Sequence, residues 1–106
     1  MRDLLERSDR PDGVFAFNDP VAIGAMRAIL AAGLAIPNDI AVIGAANIRH
    51  GDMLRVPLST IDQDTATIGR ECGRLLLEAM SSPETPQPQR ISVPIKLGAR
   101  ESSLRR

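Results

Sequence analysis

The chain has no tryptophan and no tyrosine, and its only aromatic side chains are Phe15 and Phe17. So few rings exclude the aromatic platforms on which single-stranded nucleic acids stack. A single cysteine, Cys72, excludes an internal disulfide framework and suits a reducing compartment, so a cytoplasmic location is expected. A single histidine, His50, excludes a clustered-histidine metal site, and neither a metal nor another cofactor is expected. Charge of one sign is also missing: 13 Lys and Arg face 13 Asp and Glu. A net charge of zero argues against a stand-alone nucleic-acid binder and against an acidic disordered tail. No uncharged stretch reaches the roughly 20 residues of a membrane span, and no charged leader precedes an apolar run, so no membrane partner is expected.

What is present is a chain of 106 residues, 43% of them hydrophobic, punctuated by eight Gly and eight Pro. That length allows one small domain, which buries only a modest share of its surface. Yet segments of buried type are numerous. Residues 1–8 read as the end of a helix with no N-cap before it, as if cut. Arg10-Pro11-Asp12-Gly13 is turn chemistry. Val14 to Phe17 fits a buried strand, and Asn18-Asp19-Pro20 can cap the helix that follows. That helix, Pro20 to about Ala32, is apolar nearly all round, broken only by Arg27, so it should be buried on more than one side. Gly33 and Pro37 stop it. Ile40 to Ile43 is a second buried strand, and strand–helix–strand of this length makes a parallel crossover.

Asn47 to Val56 reads as a polar loop, and Pro57 to Ile61 as a short strand. Asp64 or Thr65 caps a one-sided amphipathic helix with its stripe on Ile68, Cys72, Leu75, Leu76 and Ala79. Cys72 on that stripe is most simply a small buried hydrophobe. Residues 81–89 (SSPETPQPQ) form a loop. Ile91, Val93, Ile95 and Leu97 alternate as a strand over Arg90 to Leu97, interrupted by Pro94. Leu104 to Arg106 reads as a frayed tail.

The order and wording of three stretches resemble the C-terminal part of the LacI/GalR family of transcriptional regulators. They are PDGVFAFNDPVAIGAMRAILAAGLAIPNDIAVIG (residues 11–44), VPLSTIDQDTATIGRECGRLLLE (56–78) and ISVPIKLGARESS (91–103). The resemblance implies an α/β fold of the three-layer, parallel-sheet type: an incomplete sensor domain like a type I periplasmic binding protein. Residues 1–63 would belong to the C-terminal subdomain, entered mid-helix. Residues 64–89 would be a helix and loop docking on an N-terminal subdomain this chain does not contain, and 90–106 a closing strand and tail. The DNA-binding head would likewise lie outside the chain.

Asn18 and Asp19 stand at a strand's C-terminal end, where parallel α/β sheets bind ligands. The residues alone favour helix capping; the resemblance adds an effector contact at Asn18, with Phe17 and Asp19 beside it. Gly44-Ala45-Ala46-Asn47 matches a segment that in the family usually carries an aromatic and an acid, replaced here by Ala45 and Ala46. A carboxylate accepts hydrogen bonds from a ligand's hydroxyls and Ala accepts none, so the usual effector contact is missing: either the effector is a different one, or the site no longer binds well. Asn47 can contribute to the ligand or cap a loop. Gln63 matches a position at the cleft mouth, or is a solvent-facing strand end. Asp62 and Asp64 have no catalytic His or nucleophile beside them and read as capping and surface; His50 and Asp52 read as loop surface. The apolar helix reads on its own as core packed against the sheet and a neighbouring loop; the resemblance implies instead a homodimer interface on that helix and on the loop after Asn47, with Val21, Ala22, Ala25, Met26, Ile29 and Met53 as its residues.

The expected function is therefore effector sensing and dimerisation in a LacI-type regulator. The partners would be a small molecule of carbohydrate type, a second copy, and DNA only through a head outside this chain. No nucleophile elbow or phosphate loop supports an enzyme. A fragment of a periplasmic sugar-binding protein for uptake is the rival with the same fold.

Overall fold

The hydrophobic pattern closes into one four-stranded sheet with a single well-packed helix. The structure, a computed structural model, describes residues 1–85 and 87–105. In chain order the elements are α1 (Arg2–Leu5), β1 (Gly13–Phe15), α2 (Asp19–Ala31), β2 (Ala41–Ala45), β3 (Ser59–Asp62), α3 (Thr65–Ser81) and β4 (Lys96–Gly98), with a final 3-10 turn at Glu101–Ser103. The sheet order is β1-β2-β3-β4. β1, β2 and β3 are parallel, in the registers Val14 to Val42 and Gly44 to Thr60. β4 is antiparallel to β3, with Leu97 opposite Ile61. The strand expected over Arg90 to Leu97 thus shrinks to its last residues and one more. Pro94 lacks the N–H a ladder requires, and pairing begins only beyond it.

Val42 and Leu58 from the strands and their approaches meet Ala22, Met26 and Ile29 of α2, and Ile36 and Ile40 from the connection complete the core. Ile29, Ile40, Leu58 and Val42 are fully buried, each stabilising the fold by about 1.5–3 kcal/mol. Asn18 caps α2, its side chain accepting from Val21 N at 2.9 Å. Gly33, at φ 75°, ends it in the left-handed region that glycine enters without strain. On the other face of the sheet Phe15 and Leu97 remain exposed, so the described residues supply the sheet and one helical layer.

α3 behaves differently. Asp64 caps it, accepting from Thr67 N at 3.1 Å, but none of its residues is buried. Cys72 is exposed rather than buried, because no described element covers the stripe it belongs to. The tail also differs from expectation. Glu101–Ser103 form a 3-10 turn, and Arg105 is anchored: its guanidinium donates to Pro37 O at 3.2 Å and also reaches the Asp12 backbone carbonyl. Pro86 of the expected loop and Arg106 of the expected tail lie outside the described residues.

Candidate functional site

Three parallel strands put three C-terminal ends on one edge, where ligands of such sheets bind. Ala16, Phe17 and Asn18 follow β1, Ala46 and Asn47 follow β2, and Gln63 and Asp64 follow β3. Among the described residues three non-glycine residues have positive φ, and all three stand here: Ala46 (105°), Asn47 (49°) and Asp64 (48°). Such conformations cost on the order of 1–3 kcal/mol each, persist only where the surroundings over-determine them, and cluster at functional sites.

The four expected residues Phe17, Asn18, Asn47 and Gln63 do arrive at this edge, in different states. Phe17 is 87% exposed, a bare aromatic face beside Asn18. Asn18 is half-buried; its Oδ1 is committed to the α2 cap, and among the described residues no acceptor takes its Nδ2. Gln63 is exposed. Asn47 is held at both ends of its amide, as described below.

Asp19, the fifth, is fully buried. Its Oδ1 accepts from Thr60 Oγ1 at 2.7 Å and its Oδ2 from Ile48 N at 2.9 Å. The carboxylate therefore ties the start of α2 to β3 and to the turn after β2, and its charge complements the helix N-terminus. It approaches so closely because Gly44 has no side chain: a Cβ there would lie 3.1 Å from Asp19 Cα and overlap Oδ1.

A second set of bonds, sharing Thr60 Oγ1 with the first, also holds the turn. Asn47 N donates to Thr60 Oγ1 at 3.1 Å, and Asn47 Nδ2 to Asp62 Oδ2 at 3.1 Å. Arg100 donates through Nη2 to Asn47 Oδ1 at 2.9 Å and through Nη1 to Leu58 O at 2.8 Å. Asp62 Oδ1 in turn accepts from Asp64 N at 2.9 Å. Asp64 is a cap, as expected, and its carboxyl is held below its ordinary value near 3.8, first by the Thr67 hydroxyl and then by the Thr67 amide. Asp62 is more than surface; it is half-buried and joins two segments.

The closing turn is stapled to the sheet by serines. Ser102 Oγ donates to Val42 O at 2.7 Å and accepts from Ser59 N at 2.8 Å, while Ser59 Oγ accepts from Arg100 N at 2.7 Å. Ser59, Thr60, Arg100 and Ser102 are functional residues that no sequence motif points to. Their signal was the presence of Ser59-Thr60 in an otherwise apolar strand, and the polar run Arg100 to Ser103.

Of the residues expected at a dimer interface, Ala22, Ala25, Met26 and Ile29 are buried within this chain. They cannot face a partner while α2 packs on the sheet, so their apolar character belongs to the core. Val21, 53% exposed, and Met53, 77% exposed, stay on the surface. His50 and Asp52 are also exposed. Among the described residues no group of three His, Cys, Asp or Glu could hold a metal ion, and no helix is long and apolar enough to cross a membrane.

From the ligand edge the chain crosses out of β3 into α3 and returns to the sheet through β4. A periplasmic binding protein-like domain matches residues 1–103. The transcriptional regulator CelR of Thermobifida fusca is 35% identical over 102 residues, 96% of this chain and 30% of the relative. The transcriptional repressor PurR of Actinobacillus pleuropneumoniae is 35% identical over 103 residues, 96% of this chain and 31% of the relative. Among solved structures, a LacI family transcriptional regulator from Arthrobacter sp. FB24 in complex with lactose aligns with a TM-score of 0.85 at 35% identity, covering 97% of this chain and 38% of that one.

The chain belongs to the LacI family of regulators, in its effector-binding, periplasmic-binding-protein-like part. It spans about a third of the length of the curated relatives it matches.

Proposed function

We propose that this chain is one wall of the effector cleft of a LacI-type DNA-binding regulator, in the cytoplasm, and that the effector is a small carbohydrate. The observation that carries the reading is the strand-end edge: an exposed Phe17, Asn18 with an uncommitted amide nitrogen, and Gln63, above a turn held in a strained conformation. An aromatic face packs on the apolar side of a sugar ring, and amides hydrogen-bond its hydroxyls in both directions. The lactose complex of the Arthrobacter relative supports the ligand class. In this reading the site binds its ligand without transforming it, and the regulator relatives CelR and PurR support that. α3, with Ile68, Leu76, Leu77 and Met80 exposed, is the segment that docks on the other half of the cleft. Val21 and Met53 belong to the contact with a second copy. An effector that prefers one closure of the cleft shifts the regulator between its two states by that difference in affinity.

The test is binding of lactose, cellobiose, sucrose and glucose to the protein, followed by saturation-transfer NMR. Saturation transfer to at least one sugar, abolished by Asn18→Leu and by Phe17→Ala, is expected. Transfer that persists in both variants, or none for any sugar, overturns the carbohydrate reading.

A further inference from the structure

The bonds around Asn47 form a continuous relay across parts of the chain far apart in sequence. Arg100 lies just beyond β4, Asn47 just beyond β2, and Asp62 at the end of β3. The order of bonds is Arg100 Nη2 to Asn47 Oδ1 (2.9 Å), Asn47 Nδ2 to Asp62 Oδ2 (3.1 Å), and Asp64 N to Asp62 Oδ1 (2.9 Å). Each end is anchored independently. Arg100 also donates to Leu58 O, and its backbone N–H donates to Ser59 Oγ. Asp64 caps α3. All three strained residues stand on this relay or next to it: Ala46, Asn47 and Asp64.

We infer that Asn47 and Arg100 are positioning residues that lock the Ala45–Ile48 turn to both strands by which the chain leaves and re-enters the sheet, so that the effector-side turn and the start of α3 move as one body. This rests on the reading of the edge as an effector wall. Without the relay, a shift in the turn would be absorbed locally by backbone already in sparsely populated conformations. With it, the shift reaches Asp64 and the orientation of α3, because an amide fixed at both ends cannot follow one partner and leave the other. The guanidinium makes the first bond charge-assisted and stronger than a neutral one. An Asn at position 47 suits the relay for two reasons: it tolerates the left-handed backbone, and its side chain both accepts and donates.

The test is amide hydrogen exchange, resolved residue by residue, on the whole chain and needing no effector. Its failure is therefore distinct from failure of the carbohydrate reading. Arg100→Met removes the first bond and with it the guanidinium's bond to Leu58 O; Asn47→Asp leaves the Arg100 side intact, keeping an acceptor there, but replaces the donor to Asp62 with a second carboxylate. Arg100→Met is expected to speed exchange at the remote Asp64 amide by roughly tenfold, as the charge-assisted bond to Asn47 is lost. Asn47→Asp is expected to do the same while Val42 and Ile43 keep their protection. If Arg100→Met fails to fold, Asn47→Asp carries the test alone. Exchange at Asp64 that stays at its original rate in the folded variants would overturn the relay and leave Arg100 a local staple.

Discussion

Gly44 and Asp19 approach so closely that a Cβ at position 44 would sit 3.1 Å from Asp19 Cα and overlap its Oδ1. The contact joins β2 to the first turn of α2 at the edge where the ligand is proposed to bind. Backbone and a doubly bonded carboxylate stand in the way, so neither side yields cheaply. Gly44→Ala is expected to destabilise the fold by about 1–3 kcal/mol. Urea denaturation would show this as a lower midpoint with an unchanged slope.

Asp19 accepts one bond from Thr60 and one from Ile48. Asp19→Asn leaves one of those donors facing an amide nitrogen, which costs about 1–3 kcal/mol in a buried site. Thr60→Val removes one donor. Because both changes act on one bond, their costs are expected to be less than additive. A double-mutant cycle by denaturation measures this; strict additivity would show that the bond contributes nothing to the joint.

α2 and α3 are expected to respond oppositely to truncation. Ile29 is fully buried, and Ile29→Ala should cost about 2–5 kcal/mol. Leu77 is exposed, and Leu77→Ser should change the stability of this chain by no more than about 0.5 kcal/mol. Thermal or chemical unfolding of both variants checks the contrast. A large loss in Leu77→Ser would mean that α3 already packs against something, such as a second copy.

Asp64 has its carboxyl held below its ordinary value by the Thr67 hydroxyl and amide. A carboxyl lowered on folding contributes stability that is present above its unfolded value, near 3.8, and is lost as pH falls through the folded value. Protection of the Thr67 amide should therefore hold at pH 5 and above and fall as the solution is acidified below about 4. Asp64→Asn, which keeps a capping oxygen and tolerates the left-handed backbone, is expected to remove this pH dependence.

Much of this architecture is legible in the residues themselves. Asn18-Asp19-Pro20 announces the start of α2, and Gly33 its end. Short apolar runs and turn residues locate the three parallel strands to within about two positions, whereas the alternation over Arg90 to Leu97 overstates β4, which Pro94 confines to Lys96–Gly98. Reading α2 as apolar on all sides misleads in one respect. Ala22, Ala25, Met26 and Ile29 are one buried face, and much of the remainder is small (Gly24, Ala28, Ala31), so the helix looks more hydrophobic than the surface it exposes. Asp19 is ambiguous for a different reason. A capping acid, a ligand contact and a buried joint share one residue type, and only the missing Cβ of Gly44 and the distant Thr60 decide among them. Arg100 and Ser102 are illegible locally because their partners lie 41 to 60 residues away.

If the C-terminal edge of β1, β2 and β3 is an effector wall, backbone amide shifts mapped while a sugar is titrated in will locate the ligand there. The shifts are expected to concentrate at Phe17, Asn18, Ala46, Asn47 and Gln63. A bound sugar that instead moves only amides of α1, or of α3 beyond its first turn, would contradict it.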